Sequence, residues 1–138
     1  MSGVWILLGV GVLLTLFGLW ARLANGRMQH HRRAQARLTS SQIGSDLGEQ
    51  ATLVQFTSAF CAPCRATRRI LQEVAGMVPG VKHVDLDVDE YLGLARDLNV
   101  SRTPTVLVLD ARGAIVRRAS GQPRKADVIS ALGEAIPA

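Results

Sequence analysis

The stretch that decides the fold is Phe60-Cys61-Ala62-Pro63-Cys64-Arg65, which holds both cysteines of the chain, two residues apart. Before it, residues 51–57 are apolar and β-branched enough to predict a buried strand. After it, residues 65–77 place apolar side chains at the three-and-four spacing of a helix with one buried face. Two cysteines between a strand and a helix N-terminus predict a redox-active dithiol.

Cys61 is expected at or just before this helix N-terminus, where unpaired backbone N–H groups and the helix dipole favour a thiolate. Pro63 suits the first helical turn, because a proline there loses no intrahelical hydrogen bond and stiffens the loop. A purely structural disulfide is a weaker interpretation, since so short a loop constrains the unfolded chain little. A zinc site is weaker still, because zinc needs four ligands and His83 is the only histidine in the globular part. No metal is expected.

Residues 1–24 are expected to form a transmembrane anchor. Residues 1–21 contain no charged side chain, and about twenty residues rising roughly 1.5 Å each can cross a hydrocarbon core of roughly 30 Å. Trp5 and Trp20 lie near the two ends, where indole rings favour the membrane interfaces. A cleaved signal peptide is the alternative, but Arg22 stands where its cleavage site would need a small residue.

The basic residues of the chain indicate how the anchor is oriented. The net charge is +5, and nothing basic except the terminal amine precedes the apolar segment. The positive-inside rule therefore predicts an outside N-terminus and a cytoplasmic domain. A nucleic-acid partner is not expected, because the basic run lacks interleaved aromatic residues and adjoins a membrane anchor. The arginines that follow the apolar segment are Arg22, Arg27, Arg32, Arg33 and Arg37.

Beyond the anchor, residues 25–50 are expected to be a basic, polar linker and lead-in, and residues 51–138 the globular domain. From residue 51 onward, strand and helix patterns alternate and end in a hairpin and a helix. This order predicts an α/β fold, with a mixed central sheet flanked by helices on both faces. The predicted elements are strand 51–57, helix 62–76, strand 81–88, helix 91–98, strand 105–109, strand 114–119 and helix 125–136.

Over residues 51–138 the sequence resembles the thioredoxin family. The resemblance rests on the C-x-x-C between strand and helix, and on the aromatic Phe60 just before it. A Thr103-Pro104 pair follows about forty residues later, and Gly121 comes after a hairpin. C-x-x-C alone is moderately specific, but with Thr-Pro before an apolar strand it becomes a strong signal. The implied architecture is a thioredoxin-like fold preceded by one transmembrane helix.

The resemblance implies a thiol–disulfide oxidoreductase in which Cys61 is the exposed attacking thiolate and Cys64 the more buried resolving thiol. These two would form the redox-active disulfide. Pro104 would be a cis-proline that presents the Thr103 backbone to an extended substrate segment. The implied partners are protein disulfides and a reductase or other dithiol electron donor, with no cofactor. The expected active-site and substrate-contacting residues are Phe60, Pro63, Thr103 and Pro104.

Several residues depart from the family pattern. Gln55 stands where thioredoxins keep a buried aspartate six residues before the first cysteine. On the neighbouring strand, Asp85 stands where they carry a lysine. We hypothesise that Asp85 supplies the carboxylate from the other side, which makes Gln55 and Asp85 candidates for proton handling. Phe60 replaces a tryptophan, and Arg69 replaces the proline that kinks the helix. These changes bear on redox potential and substrate range, but not on the fold.

The sequence thus predicts a membrane-tethered thiol–disulfide oxidoreductase with a cytoplasmic domain. In a first alternative, the apolar segment is a signal or the anchor has its N-terminus inside, and the domain serves extracytoplasmic disulfide or haem-protein maturation. In a second alternative, the chain is a thioredoxin-fold binding module that recruits a partner while its cysteines stay idle.

Overall fold

A computed structural model describes residues 1–24, 29–30 and 36–137. It has five helices and five strands in these ranges, and their order reproduces the alternation expected from residue 51 onward. The elements are α1 (Ser2–Ala24), β1 (Gln29–His30), α2 (Ser40–Ile43), β2 (Ala51–Thr57), α3 (Ala62–Met77), β3 (Val81–Asp87), α4 (Leu92–Asp97), β4 (Thr105–Asp110), β5 (Ile115–Ser120) and α5 (Lys125–Ala135).

The five strands form one mixed sheet in the order β1-β5-β4-β2-β3. β2 and β3 run parallel, while β2 with β4, β4 with β5 and β5 with β1 are antiparallel. All seven residues of β2 are buried, because this strand has neighbours on both edges and side chains packed on both faces. The predicted mixed sheet with flanking helices is confirmed.

Side chains of β2 alternate between two apolar cores, one on each face of the sheet. Leu53 packs with side chains of α3 and α5. Val54 and Phe56 pack on the opposite face with α4 and with the chain that precedes β2. The C-terminal end of β2 and the N-terminal end of α3 therefore meet at one edge of a well-packed layer.

The chain before β2 contributes to this second core. Leu38 and Ile43 are 3% and 1% exposed, and the Leu38 N–H donates to the Gly113 carbonyl oxygen at 2.9 Å. Gly113, in the β4–β5 turn, has a φ of +83°, and a Cβ there would lie 2.1 Å from the Leu38 carbonyl oxygen. The sequence prediction began the domain at residue 51, whereas the core already includes these earlier side chains.

Helix α1 is long and apolar enough to cross a membrane. The span Ser2–Leu23 has 22 residues and a mean hydropathy of 2.3, and none of it is buried in the protein. An N-terminal signal sequence meets the same criteria of length and composition. This helix therefore marks a candidate span, and its orientation is not fixed by the fold.

Candidate active site

The two cysteines lie where β2 leads into α3. Cys61 is the N-cap residue of α3, and Pro63 falls in the first turn, where its missing N–H removes no intrahelical hydrogen bond. The sulfurs of Cys61 and Cys64 are bonded at 2.10 Å, with the Cα atoms 5.3 Å apart. The expected disulfide between these residues is therefore present in the structure.

The two sulfur-bearing residues differ in exposure. Cys61 is partly exposed, while Cys64 is only 2% exposed and packs on the sheet side of α3. The free backbone N–H groups of the α3 N-terminus favour negative charge on a sulfur at the cap position. A thiolate at Cys61 would therefore be both accessible and stabilised, whereas Cys64 can be reached mainly from Cys61.

Phe60 stands out beside the disulfide. Its side chain is fully exposed, and its φ is +62°, in the left-handed region that non-glycine residues rarely adopt. Because residues in sparsely populated backbone conformations cluster at functional sites, the φ of Phe60 makes it a candidate functional residue. The ring offers an apolar surface next to the reactive sulfur.

The loop before β4 forms the other side of the site. The Thr103–Pro104 peptide bond is cis, as the resemblance to the thioredoxin family implied. The Thr103 hydroxyl lies 2.8 Å from the Ser58 hydroxyl, which joins this loop to the segment leading to Cys61. The Pro104 carbonyl oxygen accepts from the Gly121 N–H at 2.7 Å. These contacts bring Thr103 and Pro104 together with the end of β2.

Behind the disulfide, a buried amide contacts Cys64. Gln55 is fully buried, and its Nε2 donates to the Cys64 carbonyl oxygen at 2.8 Å. The other end of the amide, Oε1, lies 3.2 Å from Nε2 of His83 on β3. A hydrogen-bonded chain thus runs from Cys64 through Gln55 to a titratable imidazole.

Asp85 occupies the strand position expected for it, with a different set of partners. The parallel register of β2 and β3 places it opposite Gln55. Its Oδ1 accepts from the Thr57 hydroxyl at 2.9 Å, and its Oδ2 accepts from Arg68 Nε at 2.5 Å. In the described part of the chain, the carboxylate thus bonds to Thr57 and Arg68 rather than to Cys64. The proposed proton-handling role of Asp85 stays a prediction.

Comparison with known proteins identifies this arrangement. The Thioredoxin family model matches residues 36–134, which includes the disulfide, the cis-proline and the core segment before β2. The chain belongs to the thioredoxin family. It is 32% identical over 108 residues to thioredoxin of Mycolicibacterium smegmatis, covering 75% of this chain and 96% of the relative. Over 93 residues it is 29% identical to thioredoxin of Staphylococcus saprophyticus, covering 67% and 89%.

Solved structures agree on the fold. A mutant thioredoxin from Halobacterium salinarum superposes with a TM-score of 0.59 at 20% identity, covering 65% of this chain and 78% of that one. Reduced Schistosoma mansoni thioredoxin gives a TM-score of 0.56 at 24% identity, covering 64% and 82%. These structures show the thioredoxin fold, while the family match and the related thioredoxins identify the chain as a thioredoxin-like thiol–disulfide oxidoreductase.

His83 is the site residue that sequence reasoning missed in this thioredoxin-family chain. Its pKa is lowered from the usual value of 6.5, chiefly because the imidazole is partly buried. The Asp85 carboxylate raises the pKa and the Arg68 guanidinium lowers it, so the two members of the ion pair oppose each other. His83 is therefore neutral at pH 7. The parallel register and the strand alternation that put His83 and Gln55 on one face were the available signal.

Proposed function

We propose that this protein is a membrane-tethered thiol–disulfide oxidoreductase in which Cys61 is the nucleophile and Cys64 the resolving residue. The observation that carries the proposal is the unequal exposure of the disulfide at the N-terminus of α3: Cys61 is reachable and Cys64 is buried. Attack on a substrate needs an accessible thiolate, and resolution needs only a thiol near the first sulfur.

In the reducing direction, the Cys61 thiolate attacks one sulfur of a protein disulfide. A mixed disulfide forms as the substrate S–S bond breaks, and the second substrate sulfur leaves as a thiolate that takes a proton from solvent. Cys64 then loses its proton to solvent and attacks the Cys61 sulfur, which releases the first substrate sulfur. The substrate gains two electrons and two protons, and a reductase or another dithiol restores the protein.

The substrate would dock across the surface between Phe60 and the Thr103–Pro104 loop. The Phe60 ring gives apolar contact beside the attacked bond, and the exposed Pro63 continues this surface. Thr103 offers backbone hydrogen-bonding groups to an extended segment. Backbone pairing of this kind accepts many sequences, which suits an enzyme that acts on different protein disulfides.

Helix α1 tethers this domain to a membrane. All its large apolar side chains are exposed, and apolar surface is stabilised by about 25 cal/mol for each Å² removed from water. Residues 1–24 would be the anchor. Arg22 and Arg37, like the other arginines after the apolar span, favour the cytoplasmic side for the domain.

Insulin reduction tests the proposed activity. The full chain in detergent micelles should accelerate the reduction of insulin by dithiothreitol, and Cys61→Ser should abolish the acceleration. Surface substitution Lys82→Gln, on an exposed side chain of β3, is the matched control and should leave the rate unchanged. An inactive wild-type chain would favour the alternative in which the fold serves only as a binding module.

A further inference from the structure

The orientation of the Gln55 amide fixes the hydrogen on His83. The Cys64 carbonyl oxygen can only accept a hydrogen bond, so the Gln55 atom 2.8 Å from it must be the NH₂ nitrogen. The Gln55 oxygen then points to His83 and can only accept. His83 Nε2 must therefore carry a hydrogen and donate it to Gln55 Oε1 at 3.2 Å. In the neutral imidazole, the unprotonated nitrogen is Nδ1.

The hydrogen-bonded series from Cys64 through Gln55 to His83 is shielded from water at its centre. Gln55 is fully buried in the middle of the sheet, on the face that packs against α3. In the β2–β3 register, His83 lies opposite Leu53 and reaches diagonally toward Gln55 on that same face. Hydrogen bonds in a medium of low dielectric are stronger than in water, and successive bonds polarise one another. A charge on His83 can therefore act on Cys64 through the Gln55 amide.

Charged side chains on β3 and α3 lie near His83. Asp85 lies two residues from it on β3 and Arg68 acts on it from α3, while the β2 residues that lie opposite it or contact it, Leu53 and Gln55, are uncharged. Asp85 and Arg68 form an ion pair and shift the pKa of His83 in opposite directions. Burial is the largest influence and lowers the pKa of His83, so the imidazole is neutral at pH 7 and gains a proton at Nδ1 as the pH falls.

We propose that His83, acting through the Gln55 amide, is a positioning residue that links the charge of the imidazole to the reactivity of Cys64. Protonation at Nδ1 leaves the Nε2–H bond to Gln55 in place and makes it charge-assisted, which strengthens it. The added positive charge favours the Cys64 thiolate over the thiol. The inference rests on the proposed function, since it concerns the resolving step of that exchange.

The consequence is that the rate of the resolving step falls less steeply as the pH drops. As the pH falls, a cysteine is protonated and exchange slows. In this protein, the proton that binds His83 partly offsets that loss by favouring the remaining thiolate. Linkage also requires the reverse effect: a thiolate at Cys64 must raise the affinity of His83 for its proton.

The experiment measures the two phases of reaction with 5,5′-dithiobis(2-nitrobenzoate), using the reduced full chain in detergent micelles. Attack by Cys61 releases one thionitrobenzoate, and attack by Cys64 on the resulting mixed disulfide releases the second. The second phase therefore reports on Cys64. Wild type, His83→Gln and the Lys82→Gln control are compared from pH 8 to pH 5.5. The side-chain amide of His83→Gln can still donate to Gln55 but cannot be protonated.

The ratio of the wild-type to the His83→Gln second-phase rate should rise by up to about threefold as the pH falls through the pKa of His83, a modest effect because the charge acts through an intervening amide. The Lys82→Gln ratio should stay constant. Parallel pH profiles for wild type and His83→Gln would overturn the inference while leaving the proposed function intact. Failure of the wild type to release two thionitrobenzoates would instead count against the proposed function.

A second measurement needs no variant. The ring protons of His83, titrated by NMR in the reduced full chain, give the pH range in which it gains its proton. The inference predicts that the wild-type second-phase rate falls less than tenfold per pH unit in that range, because the charged imidazole favours the remaining Cys64 thiolate. A uniform tenfold fall per pH unit would overturn it, even if His83→Gln failed to fold.

Discussion

Cys61 and Cys64 carry the same side chain in different surroundings, and their proposed roles follow from that difference. Cys61 caps α3 and is partly open to solvent, while Cys64 lies one turn later under the helix. Behind Cys64, side chains of β2 and β3 form a hydrogen-bonded chain. The uncharged amide of Gln55 lies buried next to Cys64. The titratable group, the imidazole of His83, is hydrogen-bonded to Gln55 and not directly to Cys64.

Substituting Gln55 should measure what this buried amide contributes. Gln55→Met keeps the side-chain length but leaves the Cys64 carbonyl oxygen and the His83 N–H without their partner. We expect a loss of about 1–3 kcal/mol in the free energy of unfolding, measured by urea denaturation. The control is Gln72→Met, on the exposed side of α3, which should change it by less than about 0.5 kcal/mol. Equal effects at the two sites would contradict the hydrogen-bonded chain.

His83 also makes stability depend on pH. Its pKa is lowered in the folded protein, so below pH 6.5 the unfolded chain binds the proton more readily than the folded chain. The free energy of unfolding should therefore fall as the pH drops through 6.5 toward the folded-state pKa, and level off below it. Urea denaturation between pH 8 and pH 5 should show a smaller fall for His83→Gln than for wild type. If the free energy of unfolding depended on pH equally in His83→Gln and in wild type, a group other than His83 would be responsible.

Sequence motifs predicted the residues that are close in the chain or carry a strong signature. The disulfide partners, the cap position of Cys61 and the cis bond before Pro104 were all expected. Asp85 was expected on the neighbouring strand, and the strand register places it opposite Gln55, while its role in proton handling stays a prediction. His83 was missed because its contact with Gln55 spans 28 residues, and a lone histidine on a strand carries no motif.

Elements with a clear hydrophobic period were predicted almost to the residue. β2 begins and ends as expected, and α3 and β4 each extend one residue further. β1 and α2, with two and four residues, were not predicted. Elements this short are too brief to show a period, and they form because tertiary contacts hold them. Leu38, in the predicted lead-in, lies between these two elements and packs in the second core.

Gly113 tests how tightly the β4–β5 turn holds the chain before β2. Gly113→Ala would force a Cβ to 2.1 Å from the Leu38 carbonyl oxygen at a φ of +83°. We expect it to lower the free energy of unfolding by more than about 1 kcal/mol. Gly133→Ala, in the exposed part of α5 with nothing within 4 Å of its Cβ, should instead raise it by roughly 0.5–1 kcal/mol. A neutral result at Gly113 would mean that this close approach is not maintained in solution.

At the scale of the whole molecule, an exposed apolar helix precedes a thioredoxin-fold domain with nearly balanced charge. The proposed orientation places Cys61 in the cytoplasm. A membrane-impermeant maleimide should therefore leave the reduced Cys64→Ser variant unlabelled in intact cells and label it after permeabilisation. The double variant Cys61→Ser, Cys64→Ser controls for other reactive groups. Labelling in intact cells would favour the extracytoplasmic alternative.

The central claim is that Cys61 attacks protein disulfides and Cys64 resolves the product. Capture of the mixed disulfide tests it most directly. The reduced full chain carrying Cys64→Ser or Cys61→Ser is mixed with insulin, and covalent complexes are measured by mass spectrometry before and after addition of reductant. We predict that Cys64→Ser accumulates a reductant-sensitive complex through Cys61, whereas Cys61→Ser accumulates little, because Cys64 is buried. Equal capture by both variants, or capture by Cys61→Ser alone, would contradict the account.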